Sequence, residues 1–539
     1  MFADKGVPLR MTKFTLIAAT ALAASARLPA QAPPRAGSVP TARFTDPDRV
    51  TKLTSSFGDI DRVFREYAER QHIPGAVWGI IIDGRLAHVG VMGYRDVASK
   101  SPVDSGTVFR IASMTKSFTA LAILKLRDEG KLSLDDLAEK WVPELAGLTY
   151  PTSDSPRLTI RHLMSHATGF PEDNPWGDQQ LAVTDDEMSK MMRAGIPFSN
   201  APGVAYEYSN YGFAILGRIV TKASGTPYRQ YIQQTILRPL GMTSTTLEPR
   251  SVPPARLAQG YRWEDEQWKL EPQLPDGAFG SMGGMLTSAR DLGVYVGMYL
   301  DAWPPHDGRE TGPVKRSSMR EMQQIQRPRP ASVTRAPNGA LQLSSGGYAY
   351  GLGVSGDCNF APIVAHSGGL PGFGSLMRWL PEYGVGIIAF GNRTYTNWAG
   401  PASDAFAIMV KTGGLVPRAP QPSPVLTARR EAVSRLVMQW SDPLADSLAA
   451  VNLFLDRSRD RRKAEIEKLR AEVGPCRAGQ GFDVVENALR GQWTMPCDRG
   501  ALRVSITLAP TMPPTVQFLD VSRAPATPPP TRGICPNEP

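Results

Sequence analysis

Hydrophobic and polar positions repeat with two different periods along this chain, and the change of period divides it into parts. AVWGIII and RLAHVGV read as two strands joined at Asp83-Gly84, a dipeptide suited to a tight hairpin turn. SLMRWL and VGIIAF form a second such pair around a turn at residues 381–384. Between the two hairpins the spacing becomes helical, in TKSFTALAILKLRDEG, which Gly130 closes, and in NYGFAILGRIVTKASG, which Gly225 closes. A sheet whose strands come from both ends of a region, with helices between, predicts an α/β sandwich with an inserted helical lobe. The proline-rich stretch over residues 416–425 reads as a linker. Helical spacing then runs to about Val473, followed by the strand-like DVVENAL, QWTM, ALRVSITL and TVQFLDV. This predicts a small α+β accessory domain over residues 426–523 and a proline-rich tail over 524–539.

The first residues follow another pattern. Lys5, Arg10 and Lys13 precede the apolar FTLIAATALAASA, and small residues follow it. Residues 1–32 are therefore expected to be an export signal, with an uncleaved anchor as the other reading of the same pattern. No other segment approaches the roughly 18 apolar residues of a membrane span, so no stable span is expected once the signal is removed. A linker over 33–50 then leads to the main region over 51–415. Export implies a periplasmic or secreted protein, and the four cysteines agree with an oxidising compartment. Cys476 and Cys497 flank a short segment and read as a local disulfide; Cys358 and Cys535 are either a second pair or free thiols.

At 539 residues, 42% of them hydrophobic, the chain has enough apolar side chains for a large core and more than one domain. The net charge of +9 is spread along the sequence. Its densest basic run, RSRDRRKAEIEKLR, alternates with acids and reads as a solvated helix face, not a nucleic-acid site.

Candidate chemistry begins at Ser113-Met-Thr-Lys116, the one Ser-x-x-Lys of the chain. Residues three apart share a helix face, so the Lys116 amine can sit beside the Ser113 oxygen. The helix N-terminus favours a developing alkoxide, and a serine needs such a neighbour to become a nucleophile. The same pattern also fits a capping serine with a solvated lysine. Tyr208-Ser209-Asn210 precedes the second helix. A phenol aimed at Ser113 would serve as base and then acid, its pKa pulled up by desolvation and down by the Lys116 ammonium. The Asn210 amide is placed to bind a substrate carbonyl. Here too a helix cap with a core tyrosine is the alternative. The third motif, His366-Ser367-Gly368-Gly369, lies on a strand where missing side chains would let substrate approach the backbone. An exposed strand N–H there is able to pair with that of Ser113 as an oxyanion hole. A glycine-rich turn with an incidental histidine fits equally.

In this order the motifs resemble the serine β-lactamase and penicillin-binding-protein superfamily. Tyr-x-Asn in place of Ser-Asp-Asn points to the class C β-lactamase, DD-peptidase, D-aminopeptidase and esterase branch. The resemblance runs over about residues 55–394 and includes IPGAVWGIIIDGRL, LTIRHLMSHATGFP, GMTSTTLEP and GGMLTSARDLGVY. It implies a β-lactamase/transpeptidase-like antiparallel sheet flanked by helices. It also implies that Ser113 is the acylated nucleophile, Lys116 its activating partner and Tyr208 the general base. Asn210, His366, Ser367 and Gly368 would contact substrate, and the Ser113 and Gly369 N–H groups would form the oxyanion hole. His366 stands where β-lactamases of this branch usually carry lysine, while His-x-Gly is typical of the peptidases and esterases. With a reference pKa near ~6.5, His366 is expected to hold a substrate carboxylate only at low pH, so that such activity falls as pH rises.

Other chemistries lack their patterns. His162 and His166 are one helical turn apart, but Leu163 occupies the glutamate position of His-Glu-x-x-His, so they are read as framework residues and no metal is expected. Neither Gly-x-Ser-x-Gly nor a phosphate-binding loop occurs, and no cofactor is expected. Two classes of function remain. One is a hydrolase forming a Ser113 acyl-enzyme with D-amino-acid peptides, esters or β-lactams, with cell-wall peptide among the candidate substrates. The other is a penicillin-binding sensor that acylates without turnover.

Overall fold

The computed structural model describes residues 39–335 and 341–525. The expected signal segment 1–32, Cys535 and nearly all of the tail lie outside the described residues.

The two hairpins join one antiparallel sheet, nine-stranded among the described residues. Its strands, in chain order, are β1 (Gly75–Ile82), β2 (Arg85–Asp96), β3 (Ser101–Pro102), β4 (Arg327–Arg335), β5 (Leu341–Tyr348), β6 (Gly353–Gly356), β7 (Ile363–Leu370), β8 (Phe373–Leu380) and β9 (Val385–Gly391). Across the sheet they run β3-β2-β1-β9-β8-β7-β6-β5-β4, so the first hairpin meets the last through β1 and β9. β6 pairs with β7 only through Ile363, Val364 and Ala365, so β7 continues past it from His366 to Leu370.

β1 is buried along its whole length because both faces of the sheet are covered. Trp78 and Ile80 point into one core with α1 (Phe57–Arg70) and, from the far end of the region, the helix Ala399–Lys411. Val77 and Ile81 point into the other, larger core, built with α2 (Thr115–Asp128) and, beyond the four-residue α3 (Asn174–Gly177) at its rim, α4 (Asn210–Ser224). This is the expected sandwich with its helical lobe. α4 begins where Ser209 Oγ accepts the Gly212 N–H at 3.1 Å and ends at Gly225, whose φ of +70° is left-handed.

The stretches expected as linkers are docked. Arg43 and Ala419 exchange backbone hydrogen bonds of 3.2 and 2.9 Å, and the Arg418 N–H donates to Glu382 O at 2.9 Å. The buried Arg49 pairs with Asp83 at 2.8 Å, tying the start of the region to the first hairpin turn. Beyond residue 423, helices that end at Val473 pack on an antiparallel sheet of Val484–Asn487, Arg490–Cys497, Gly500–Leu508 and Val516–Arg523. Their side chains form a separate core. Cys476 and Cys497 are disulfide-bonded.

Candidate active site

Ser113 lies in a single 3-10 turn, Ala112–Met114, that runs straight into α2. The turn is sharp because Ala112 has a φ of +48°, a left-handed conformation that costs an alanine roughly 1 kcal/mol or more. Its surroundings hold it there. Ser375 Oγ donates to Ile111 O at 2.8 Å, Thr115 Oγ1 to Ala112 O at 2.7 Å, and the Ile111 N–H to Met285 O at 2.9 Å. Ser113 is left 8% exposed, its hydroxyl over the fully buried Lys116.

The lysine's partners set its chemistry. Lys116 Nζ is 3.1 Å from Ser113 Oγ, 2.6 Å from Asn210 Oδ1 and 2.8 Å from Met282 O. An ammonium satisfies all three with its three N–H groups. The two carbonyl oxygens can only accept, so loss of one proton leaves them both donors and turns the lone pair to Ser113. Burial pushes this amine down to about 7, with the acidic Asp178 and Asp173 opposing the fall.

Tyr208 is partly buried, and burial drives its phenol well above the ordinary tyrosine value, against a smaller downward pull from its hydrogen bond with Ser113. The expected downward pull of the ammonium does not govern: Lys116 Nζ lies 4.8 Å from the centroid of the Tyr208 ring. Tyr208 is therefore a protonated phenol at neutral pH, and Lys116 is the group that can be a neutral base.

His366 corrects a second expectation. Its Nδ1 is 2.6 Å from Ser367 O, which can only accept, so that nitrogen carries the proton. Nε2 then accepts from Tyr348 Oη at 2.9 Å. Burial, reinforced by the nearby Lys116 ammonium, pushes the imidazole down to about 3. His366 is thus neutral through the physiological range and offers no titrating cation for a substrate carboxylate.

Asn210 differs as well. Its Oδ1 is taken by Lys116 and its Nδ2 donates to Asn174 Oδ1 at 3.1 Å, so in the free protein it anchors the lysine. Ser367 is exposed. The space beside Gly368 is filled from within, since a Cβ there would lie 2.1 Å from Ile111 O. At Gly369 a Cβ would lie 2.6 Å from the Tyr395 ring. On their Cβ sides the two glycines admit neighbouring parts of this chain.

Several supporting residues carry no signal in the sequence pattern. Asp173 accepts the Asn210 and Tyr211 N–H groups at 2.6 and 2.8 Å, capping α4 from a distant loop. His166 Nδ1 accepts the Ser209 N–H at 3.0 Å, and its ring centroid lies 4.2 Å from that of Tyr208. Its partner in the expected framework pair, His162, closes a capping box with Thr159. A cavity of about 1120 Å³ lies elsewhere, lined by Gly217 and Arg218 of α4 but by none of Ser113, Lys116, Tyr208 or His366.

A serine over a buried lysine that can take its proton, set against a strand of an antiparallel sheet, makes a site of the serine-nucleophile class. The chain belongs to the Beta-lactamase family, whose sequence model matches residues 60–408. Protein flp of Staphylococcus aureus strain N315 is 30% identical over 350 residues, which are 64% of this chain and 64% of that protein. The chain thus spans less than two thirds of the length of that relative. Penicillin-binding protein 4* of Bacillus subtilis strain 168 is 27% identical over 353 residues, 62% of this chain and 71% of that one. The octameric penicillin-binding protein homologue from Pyrococcus abyssi has a similar fold, with a TM-score of 0.54 and 22% identity over 84% of this chain and 96% of that one.

Proposed function

We propose that this chain is an exported serine hydrolase that works through a Ser113 acyl-enzyme on D-amino-acid peptides, esters or β-lactams, as DD-peptidases and esterases do. The carrying observation is the Lys116 amine, 3.1 Å from Ser113 Oγ and held by two acceptors that leave its lone pair for the serine proton. As Ser113 Oγ attacks the substrate carbonyl, its proton passes to neutral Lys116. The Ser113 and Gly369 N–H groups take the oxyanion. The Tyr208 phenol then protonates the leaving nitrogen or oxygen and is reprotonated from the Lys116 ammonium, which leaves an ester on Ser113 and a neutral amine. Water attacks this ester by the same path in reverse, with its proton going to Lys116 and Ser113 leaving as the hydroxyl.

The neutral, internally bonded His366 favours peptide and ester substrates over a β-lactamase that depends on a lasting cation at that position. A β-lactamase or a penicillin-binding sensor would share the first step, and part of the chain resembles a protein named for penicillin binding. Export to the periplasm or beyond is supported by the basic and apolar pattern of residues 1–32 and by the Cys476–Cys497 disulfide. Hydrolysis of a D-alanyl peptide, a p-nitrophenyl ester and a penicillin, each with Ser113→Ala as control, tests the reading. Serine-dependent turnover of the peptide or ester supports it. Turnover of the penicillin alone makes it a β-lactamase, and a stable penicillin adduct without turnover makes it a sensor.

A further inference from the structure

The segment from Asp173 to Asp178 surrounds Asn210. Asp173 caps its helix, Asn174 holds its amide nitrogen, and a Cβ on Gly177 would lie 2.7 Å from the Asn210 Cβ. Asp178 follows and points elsewhere. It is 3% exposed, its Oδ1 has no hydrogen-bond partner among the described residues, and its Oδ2 accepts from Tyr395 Oη at 3.0 Å. Tyr395 comes from the opposite side of the site, in the loop that follows β9. It has a φ of +52°, a conformation that tyrosine seldom adopts.

Strands β7 and β8 make a seat for this loop. Gly369 pairs with Gly374 across them. A Cβ on Gly374 would lie 2.3 Å from the backbone N and O of Thr396, and one on Gly369 would strike the Tyr395 ring. The preceding residue, Gly368, packs on Ile111 two positions before Ser113. Successive residues of a strand face opposite ways. β7 is therefore gripped between the nucleophile turn on one face and Tyr395 on the other.

We propose that Tyr395 is a positioning residue: its hydroxyl, bonded to Asp178, holds its ring against Gly369 and fixes β7 relative to the lobe that carries Asn210 and Lys116. The hydroxyl is the side-chain donor that the Asp178 carboxylate has, so breaking this bond leaves a buried acid without one. The role rests on the proposed reading that the Gly369 N–H takes the oxyanion. A donor there counts only when it is held where the oxyanion forms.

Tyr395→Phe keeps the ring and removes the bond. Pre-steady-state acylation of the full chain by p-nitrophenyl acetate should then slow by about tenfold or more, with the dissociation constant of the ester nearly unchanged and Tm lowered by no more than a few degrees, because a misplaced donor weakens transition-state binding. On an Asp178→Leu background the same change should cost less than about twofold, since the bond is already absent. The proposal is overturned if Tyr395→Phe acylates within about twofold of wild type, or loses the same factor on the Asp178→Leu background. Should Asp178→Leu fail to fold, the first comparison decides. Absence of both Ser113-dependent ester turnover and a Ser113 adduct in the wild-type protein would overturn the acyl-enzyme reading itself, and the role of Tyr395 with it.

Discussion

Lys116 Nζ and Asn210 Oδ1 lie 2.6 Å apart, joining the helix that follows Ser113 to the start of another helix 94 residues later. The amide is neutral, so it orients the lysine without fixing its charge. Asn210→Asp would place a carboxylate at this buried site and stabilise the ammonium. The acid limb of the activity profile should move to higher pH, and activity at pH 7 should fall by about tenfold or more, given the effect of one pKa unit. A pH series of kcat/KM on wild type and variant checks the shift.

Lys116 itself sets the profile of the native protein. Burial lowers its pKa to about 7, and the proposed mechanism uses the neutral amine. Acylation should therefore rise through pH 6 to 7 and level off above, in the range where a normal lysine would still be charged. Lys116→Met should remove the limb together with nearly all activity.

The neutral state of His366 carries its own outcome. With its pKa pushed down to about 3, it changes charge below the usual working range. Two esters that differ by one carboxylate should keep a constant ratio of kcat/KM from pH 5 to 8. A ratio falling about tenfold across that window would mean that His366 titrates there after all.

Gly368 is held by backbone. A Cβ added there would lie 2.1 Å from Ile111 O and 2.5 Å from Ser375 Oγ, the pair that supports the nucleophile turn. Gly368→Ala should destabilise the main domain by roughly 1–3 kcal/mol, the usual cost of overpacking. By shifting Ser113 it should slow acylation by about a hundredfold. Thermal melts and acylation rates measured together separate the two effects.

Much of the frame could be read from local pattern. The hairpins, the Gly225 helix end and the three-residue spacing of Ser113 and Lys116 depend on neighbours in sequence, and the structure has them. The Tyr208-Ser209-Asn210 motif could be read as a helix cap, and Ser209 is the cap of α4. The surroundings of the site could not be read this way. Asp178 meets Tyr395 from 217 residues away, and Tyr348 meets His366 across the sheet, contacts that leave no periodicity in either segment. The ionisation of His366 and Tyr208 is set in the same way. A residue type brings its solution pKa, whereas loss of water around a side chain comes from the packing of several distant segments.

The central claim is that Ser113 is a nucleophile whose proton goes to neutral Lys116. Its most direct test is peptide-mapped mass spectrometry of the full chain quenched during reaction with a p-nitrophenyl ester, at several pH values. The account expects an acyl adduct on Ser113, absent in Ser113→Ala, whose formation rate climbs with pH to a plateau just above 7. An adduct on another residue, or a Ser113 adduct forming equally fast at pH 5 and pH 8, would contradict it.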